Sequence, residues 1–365
     1  MLDYLLSRTA ESRQAFAAIL SSAPGKSREI ILHDKENFLE RYPLISQARA
    51  HAYNYKLLKA GGIPDVWDTD NAGGYNKMVA LKSGFISHRE RTLVRLLSEN
   101  FDFFGPVGAR RYKLKDNGGN DIIVTQNNFL NDGLATDNLE VFINVGRYIE
   151  NYEIVELSPG VFSFRLNITA LSIDMIYNGA TVLINRQAAI NAIKTIIEIL
   201  GEKYTLEGMH VVEHILLRPR IRGIDDLNSD KLFANLKVDQ SQLADPYSHV
   251  VTVVIPSGFE RDFANVADTP KPTVGGDRWR DPEYLLFVKQ TILREAPSHL
   301  LVNIFPLDID LDPGGMAIDD RPSLQNFERK WKAWREAVAD PTATIVVKRT
   351  TQRQLVTVIE KIYEP

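Results

Sequence analysis

The chain has no cysteine among its 365 residues, which excludes disulfide frameworks, thiolate zinc sites and cysteine nucleophiles. It also lacks any apolar run near the roughly 18 to 20 residues that cross a bilayer. The longest candidate, Ala188 to Leu200, is broken by Asn191, Lys194, Thr195 and Glu198 and reads as a soluble helix. At Met1-Leu2-Asp3-Tyr4-Leu5-Leu6-Ser7-Arg8 no basic stretch precedes an apolar core, so no secretory leader is expected. Positive charge is not in excess either: a net charge of -4 argues against a dedicated nucleic-acid binder. Phosphate-binding loops are missing as well, since Gly73-Gly74, Gly275-Gly276 and Gly314-Gly315 sit in neither a P-loop nor a dinucleotide fingerprint. Ser257, in Pro-Ser-Gly, is not at a nucleophile elbow. These absences point to a cytoplasmic protein without a cofactor.

What is present suffices for two or three packed units, because 44% of residues are hydrophobic and 25% charged, as in ordinary globular domains. Residues 1–100 read as helical. Leu2, Leu5, Leu6, Phe16, Ile19 and Leu20 recur at near-helical spacing; Asp34 is placed to cap a second helix through Phe38, Leu39, Tyr42 and Ile45, bent at Pro43. Further helices are predicted from Tyr75 to Lys82 and from Ser87 to Ser98, the latter with Arg89, Arg91 and Arg95 on a solvated face. Residues 101–204 read as a small α+β module, in which 101–184 carry short β-like runs with turns at Asn117-Gly118-Gly119 and Pro159-Gly160. Asn185 then caps an amphipathic helix whose Ala189, Ile193, Ile196, Ile197 and Leu200 share a face. Residues 205–365 read β-β-α-β-α: strands Met209 to Leu217, His249 to Ile255 (stopped by Pro256) and Leu300 to Ile304, with helices opened by Pro282 and Pro322. The expected class is α+β, a helical N-terminal region followed by two small α/β sandwich modules, the last with helices on one face. No repeat of solenoid type is visible.

Four groups of residues could carry chemistry. His210-Val211-Val212-Glu213-His214 matches the inverted zinc-protease signature, in which two histidines one helical turn apart bind zinc and the glutamate handles the proton. That needs a helix. Val211, Val212 and Ile215, bounded by Gly208 and Pro219, predict a strand instead, on which the imidazoles stand about 13 Å apart. A zinc-dependent hydrolase using His210, Glu213 and His214 is therefore the alternative reading, not the leading one. Asp308-Ile309-Asp310-Leu311-Asp312 begins like a calcium loop, but Pro313 holds the glycine position and Asp319 the glutamate position, so a strand with one wet face is preferred. Trp67-Asp68-Thr69-Asp70-Asn71 is expected as a rigid structural turn, with Asp68, Asp70 and Asn71 bonding backbone and capping the next helix, and Trp67 as its anchor. Phe327, Trp331 and Trp334 form a stripe that is either core or an interface anchor.

Several landmarks occur in a telling order: Asp3-Tyr4-Leu5-Leu6-Ser7-Arg8, Trp67-Asp68-Thr69-Asp70-Asn71, Phe162-Ser163-Phe164-Arg165-Leu166, Glu207 to Pro219, Asp245-Pro246-Tyr247-Ser248 and Phe287 to Leu300. Together they resemble regions of large baseplate-associated proteins of contractile phage-tail-like injection systems. That resemblance implies a non-catalytic part docking to other baseplate, sheath or tail subunits in six-fold arrangement, within a tail-like particle. It makes the His210 run a structural strand. Residues 161–200 are also similar to a small strand-and-helix module of short bacterial proteins, although Asn167 to Gly179 lacks that module's tight glycine turn.

Overall fold

The computed structural model describes residues 28–67, 69–85, 87–94, 101–116, 118–146, 149–168, 175–179, 183–204, 206–218, 247–265, 267–273, 275–311 and 321–363. The helix expected over Leu2 to Leu20 lies outside these residues, as do Asp68, Arg95, Asp312, Pro313 and Asp319. The chain is α+β and divides into two units, one made of Met1–Val94 with Glu207–Pro365 and the other of Arg95–Leu206. Three consecutive domains were expected. The N-terminal and C-terminal thirds instead share a core, because Leu93 belongs to the same hydrophobic cluster as Val212, Val254 and Trp331.

In the first unit, α1 (Arg28–Gln47) carries Pro43 in its interior, and α2 (Gly74–Ser83) ends on Gly84 in the left-handed conformation that glycine adopts freely. Phe38 and Ile45 pack on Met78 and Leu81. Asp34 falls inside α1 and so does not cap it. The helix expected from Ser87 does not form over the described residues: 87–94 are non-helical, and Glu90 bridges to Thr69. The reason is tertiary. Glu90 and Arg91 are only 4% and 3% exposed, drawn inward by partners that a solvated helix face would forfeit.

The second unit is built from β1 (Phe101–Phe104), β2 (Arg111–Lys115), β3 (Asp121–Thr125) and α3 (Asp132–Gly146), then β4 (Tyr152–Ser158), β5 (Val161–Ile168), β6 (Met175–Gly179) and α4 (Arg186–Tyr204). Its sheet order is β1-β2-β3-β6-β5-β4, with all neighbours antiparallel. The halves are two copies of one β-β-β-α plan joined at β3 and β6. The bridge Arg110–Phe129 in one copy matches Phe162–Leu183 in the other. Buried Tyr112, Leu114, Ala135, Leu139 and Phe142 correspond to buried Phe164, Leu166, Ala189, Ile193 and Ile196. Each helix starts from an asparagine: Asn131 Oδ1 accepts from Leu134 N at 2.9 Å and Asn185 Oδ1 from Ala188 N at 2.7 Å. The duplication preserves size and polarity rather than identity, so it does not register as a sequence repeat. Replacing either cap with alanine, Asn131→Ala or Asn185→Ala, is expected to cost about 1 kcal/mol, read as matching shifts in a urea-unfolding midpoint.

The first unit's sheet contains β7 (His210–Glu213), β8 (Val250–Arg261), β9 (Lys271–Pro272) and β10 (Leu301–Asp310). The order is β10-β8-β7, with β9 beside β8; β10 runs parallel to β8 and the others antiparallel. Helices α5 (Asp277–Arg280) and α6 (Pro282–Glu295) lie between β9 and β10 in sequence, and α7 (Leu324–Ala339) and α8 (Ile345–Tyr363) follow. Every residue from Val250 to Pro256 is buried, so both faces of β8 are covered rather than one. Pro256 does not end the strand. It falls between the stretch paired with β7 and the stretch paired with β9, where its missing N–H breaks no bond to either. Asp281 caps α6 by accepting from Glu283 N, with Pro282 next to it, and Ser323 caps α7 by accepting from Asn326 N.

Candidate functional site

Alternation along β7 turns His210 and Val212 inward. His210 is 1% exposed; its Nδ1 lies 2.7 Å from Glu90 Oε1 and its Nε2 2.9 Å from Glu328 Oε1. The Trp331 indole N–H donates to Glu90 Oε1 at 3.3 Å, and Glu328 also accepts from Leu93 N at 2.6 Å and Thr92 Oγ1 at 2.5 Å. Trp67 stacks on the imidazole at 5.6 Å and 11°, and Phe327 packs at 5.8 Å. Burial by itself disfavours a charged imidazole. The hydrogen bonds with Glu328 and Glu90, with the charges of both, outweigh it and raise the His210 pKa to about 9. The ring is thus an imidazolium at neutral pH, donating from both nitrogens, with no lone pair left for a metal.

The other members of the run point elsewhere. Glu213 Oε1 accepts from Tyr55 OH at 3.1 Å. The expected strand from Met209 to Leu217 stops at Glu213 and tightens into a 3₁₀ turn over His214–Leu217, which lets His214 and Leu217 both enter the core. His214 Nε2 is 2.8 Å from Thr252 Oγ1, itself 2.8 Å from Tyr363 OH. Burial pushes the His214 pKa down to about 4, so this imidazole is neutral. Two histidines four residues apart therefore differ in charge, one held cationic by two carboxylates and the other left neutral by burial. Among the described residues no three His, Asp or Glu side chains are grouped to hold a metal.

The aspartates of β10 are held by arginines: Asp308 meets Arg261 Nε at 3.0 Å and accepts from Ser257 Oγ at 2.6 Å, while buried Asp310 pairs with Arg321 Nη1 at 2.7 Å. In the turn after Trp67, Asn71 exchanges bonds with the Asn54 backbone at 3.1 and 2.8 Å, and Asp70 pairs with Arg89 at 2.9 Å. None of these side chains caps α2, whose N-cap is Gly73 without a side-chain bond. The turn is fastened to residue 54 instead. Phe327, Trp331 and Trp334 are 0%, 1% and 2% exposed, which makes them core and removes the surface an interface anchor needs. Arg91, expected on a solvated face, donates to Glu207 O at 2.9 Å inside the core.

A second place was not foreseen. A cavity of about 450 Å³ opens in the first unit, walled by Val211, Ile215, Val250, Val251, Leu300 and Val302, with Tyr53, Tyr55 and Tyr75 around it. Glu90, Glu213 and Arg335 bring charge to it. Arg335 is 2% exposed, and its guanidinium lies 3.7 Å from the Tyr53 ring centre, 5.0 Å from Trp331 and 5.3 Å from Tyr55. Burial lowers its pKa to about 9, leaving it cationic at neutral pH. Its Nε and Nη2 have no acceptor among the described residues. The sequence did carry a signal: Glu328, Trp331 and Arg335 recur at i, i+3, i+7, placing charges inside the apolar stripe of α7. No family model matches the chain, and no curated protein is significantly similar to it in sequence.

Proposed function

We propose that the chain is a non-catalytic structural component of a contractile, phage-tail-like injection system, docking other baseplate, sheath or tail subunits in a six-fold assembly formed in the cytoplasm. The observation that carries the non-catalytic part is the sealed Glu90–His210–Glu328 group. The sharpest catalytic motif in the sequence is used to tie together three segments far apart in the chain. The baseplate part rests on the ordered landmarks from Asp3 to Leu300. Docking draws further support from apolar residues left at the surface, with Ile345, Val346 and Val347 at the start of α8 exposed by 48%, 67% and 46%.

The test is purification of tagged chain together with the products of its neighbouring genes. The chain is expected in ring-shaped or tail-like particles with sheath and tube proteins, and Val346→Glu is expected to reduce its share in them several-fold at unchanged thermal stability. Recovery only as a free monomer overturns the reading. Metal analysis of the purified chain tests the zinc hydrolase: one tightly held zinc per chain would reopen it.

A further inference from the structure

We propose that the cavity of the first unit binds a small primary amine carried on an apolar or aromatic body, with Glu213 as the anchor for its ammonium group.

Among the described residues Glu213 bonds only the Tyr55 hydroxyl, through Oε1 at 3.1 Å. Burial, with the adjoining Glu213 carboxylate, holds the Tyr55 pKa far above its usual value, so the phenol donates a hydrogen bond but brings no positive charge. The second oxygen, Oε2, has no partner and is not one of the sealed polar atoms, so it is open to the cavity that Glu213 lines. A half-buried carboxylate with a free oxygen and no counter-ion calls for a cation that also donates N–H. The other charges on the wall are already committed. Glu90 is bonded to His210 and Trp331, and Arg49 to Glu295 Oε2 at 2.9 Å. Arg335 lies over the Tyr53 ring with Nε and Nη2 buried and closed to the cavity. Burial is the cause of its lowered pKa, so Arg335 is not paired with Glu213.

Sheet register places the rest of the ligand. Glu213 on β7 pairs with Val251 on β8, and Val251 pairs with Val302 on β10, so the three stand in one row across the sheet, and all three line the cavity. Two strand spacings of about 4.8 Å each make a lane of about 10 Å that runs from the carboxylate over two valines. Val211 and Leu300 flank the lane, and Tyr53, Tyr55 and Tyr75 add ring surface. An ammonium, a tether of two or three carbons and one ring fill that length, and the cavity of about 450 Å³ is of the size of small-molecule sites. With Glu90 and Glu213 on the wall, an anion of the same shape meets repulsion. Glu213 thus has a use that neither zinc chemistry nor the His210 group gives it. This goes beyond the docking role and does not depend on it, since binding is expected of the free chain as of the assembled one.

The experiment is calorimetric titration of the full chain at neutral pH with 2-phenylethylamine and 3-phenylpropylamine, alongside the matching alcohols and 3-phenylpropionate. At least one amine is expected to bind one to one, with its alcohol weaker by about 10- to 100-fold and the carboxylate without measurable heat. Glu213→Gln, which still accepts from Tyr55, is expected to lower the amine's affinity to that of the alcohol. Should that variant not fold, Ala52→Trp, at an exposed position on the cavity rim, is expected to weaken the amine about tenfold with an unchanged melting temperature. The proposal is overturned if no amine binds the folded chain, if amine and alcohol bind alike, if the carboxylate binds as well as the amines, or if folded Glu213→Gln or Ala52→Trp retains full affinity.

Discussion

His210→Ala is expected to destabilise the first unit by about 3 to 5 kcal/mol, the cost of stranding buried charges whose partner is removed. Glu90 and Glu328 are 4% and 5% exposed, and without the imidazolium both carboxylates lose a donor in the same pocket. Trp67 and Phe327 lose a packed ring as well. The same group predicts a pH profile. Because the folded His210 pKa is raised from 6.5 to about 9, its contribution is complete below pH 6.5 and drains as pH climbs through 9. The wild-type chain should lose about 3 kcal/mol across that window relative to His210→Gln, which has no such proton to release. Urea midpoints taken from pH 6 to 10 check this; parallel profiles for the two proteins would sink the assignment.

Trp331→Ala is the second large effect, expected at about 3 to 5 kcal/mol. The indole stacks on Trp334 at 5.1 Å and 24°, lies beside Arg335 and donates to Glu90, so its loss opens a cavity and removes a donor together. Trp331→Phe separates the two, retaining most of the volume and costing about 1 kcal/mol for the hydrogen bond lost from Glu90 Oε1, which keeps its bond with His210. Thermal melts of the isolated chain are the measurement. If stability stayed unchanged while particle incorporation fell, the aromatic stripe would be an interface after all.

Much of the element order was legible because it depends on local rules. Asn185 before an apolar stripe, Pro282 after Asp281, and the valine run of β8 each announce themselves within a few residues. The failures share a cause. Residues 87–94 read as a helix because Glu90 and Arg91 look solvated in sequence, whereas their partners, His210 and Glu207, are more than a hundred positions away. The His210 run was legible as a motif and as the start of a strand, but the protonation of its histidines was not, since Glu90 and Glu328 decide it for His210 and burial in the core for His214. Arg335 was hidden for a different reason: its orphaned donors are a property of what does not surround it.

Arg91 and Leu93 stand just before the second unit and Glu207 and Gly208 just after it, and the two chain segments are clasped there. Arg91 bonds Glu207 O at 2.9 Å, and Leu93 packs so closely over Gly208 that a methyl group at that glycine would lie 2.4 Å from Leu93 Cδ2. This clasp is a splice point. The two ends of the segment between residues 94 and 207 are pinned side by side by contacts within the first unit. The size of the unit carried between them then costs the host core little, since loop-closure entropy grows only slowly with chain length.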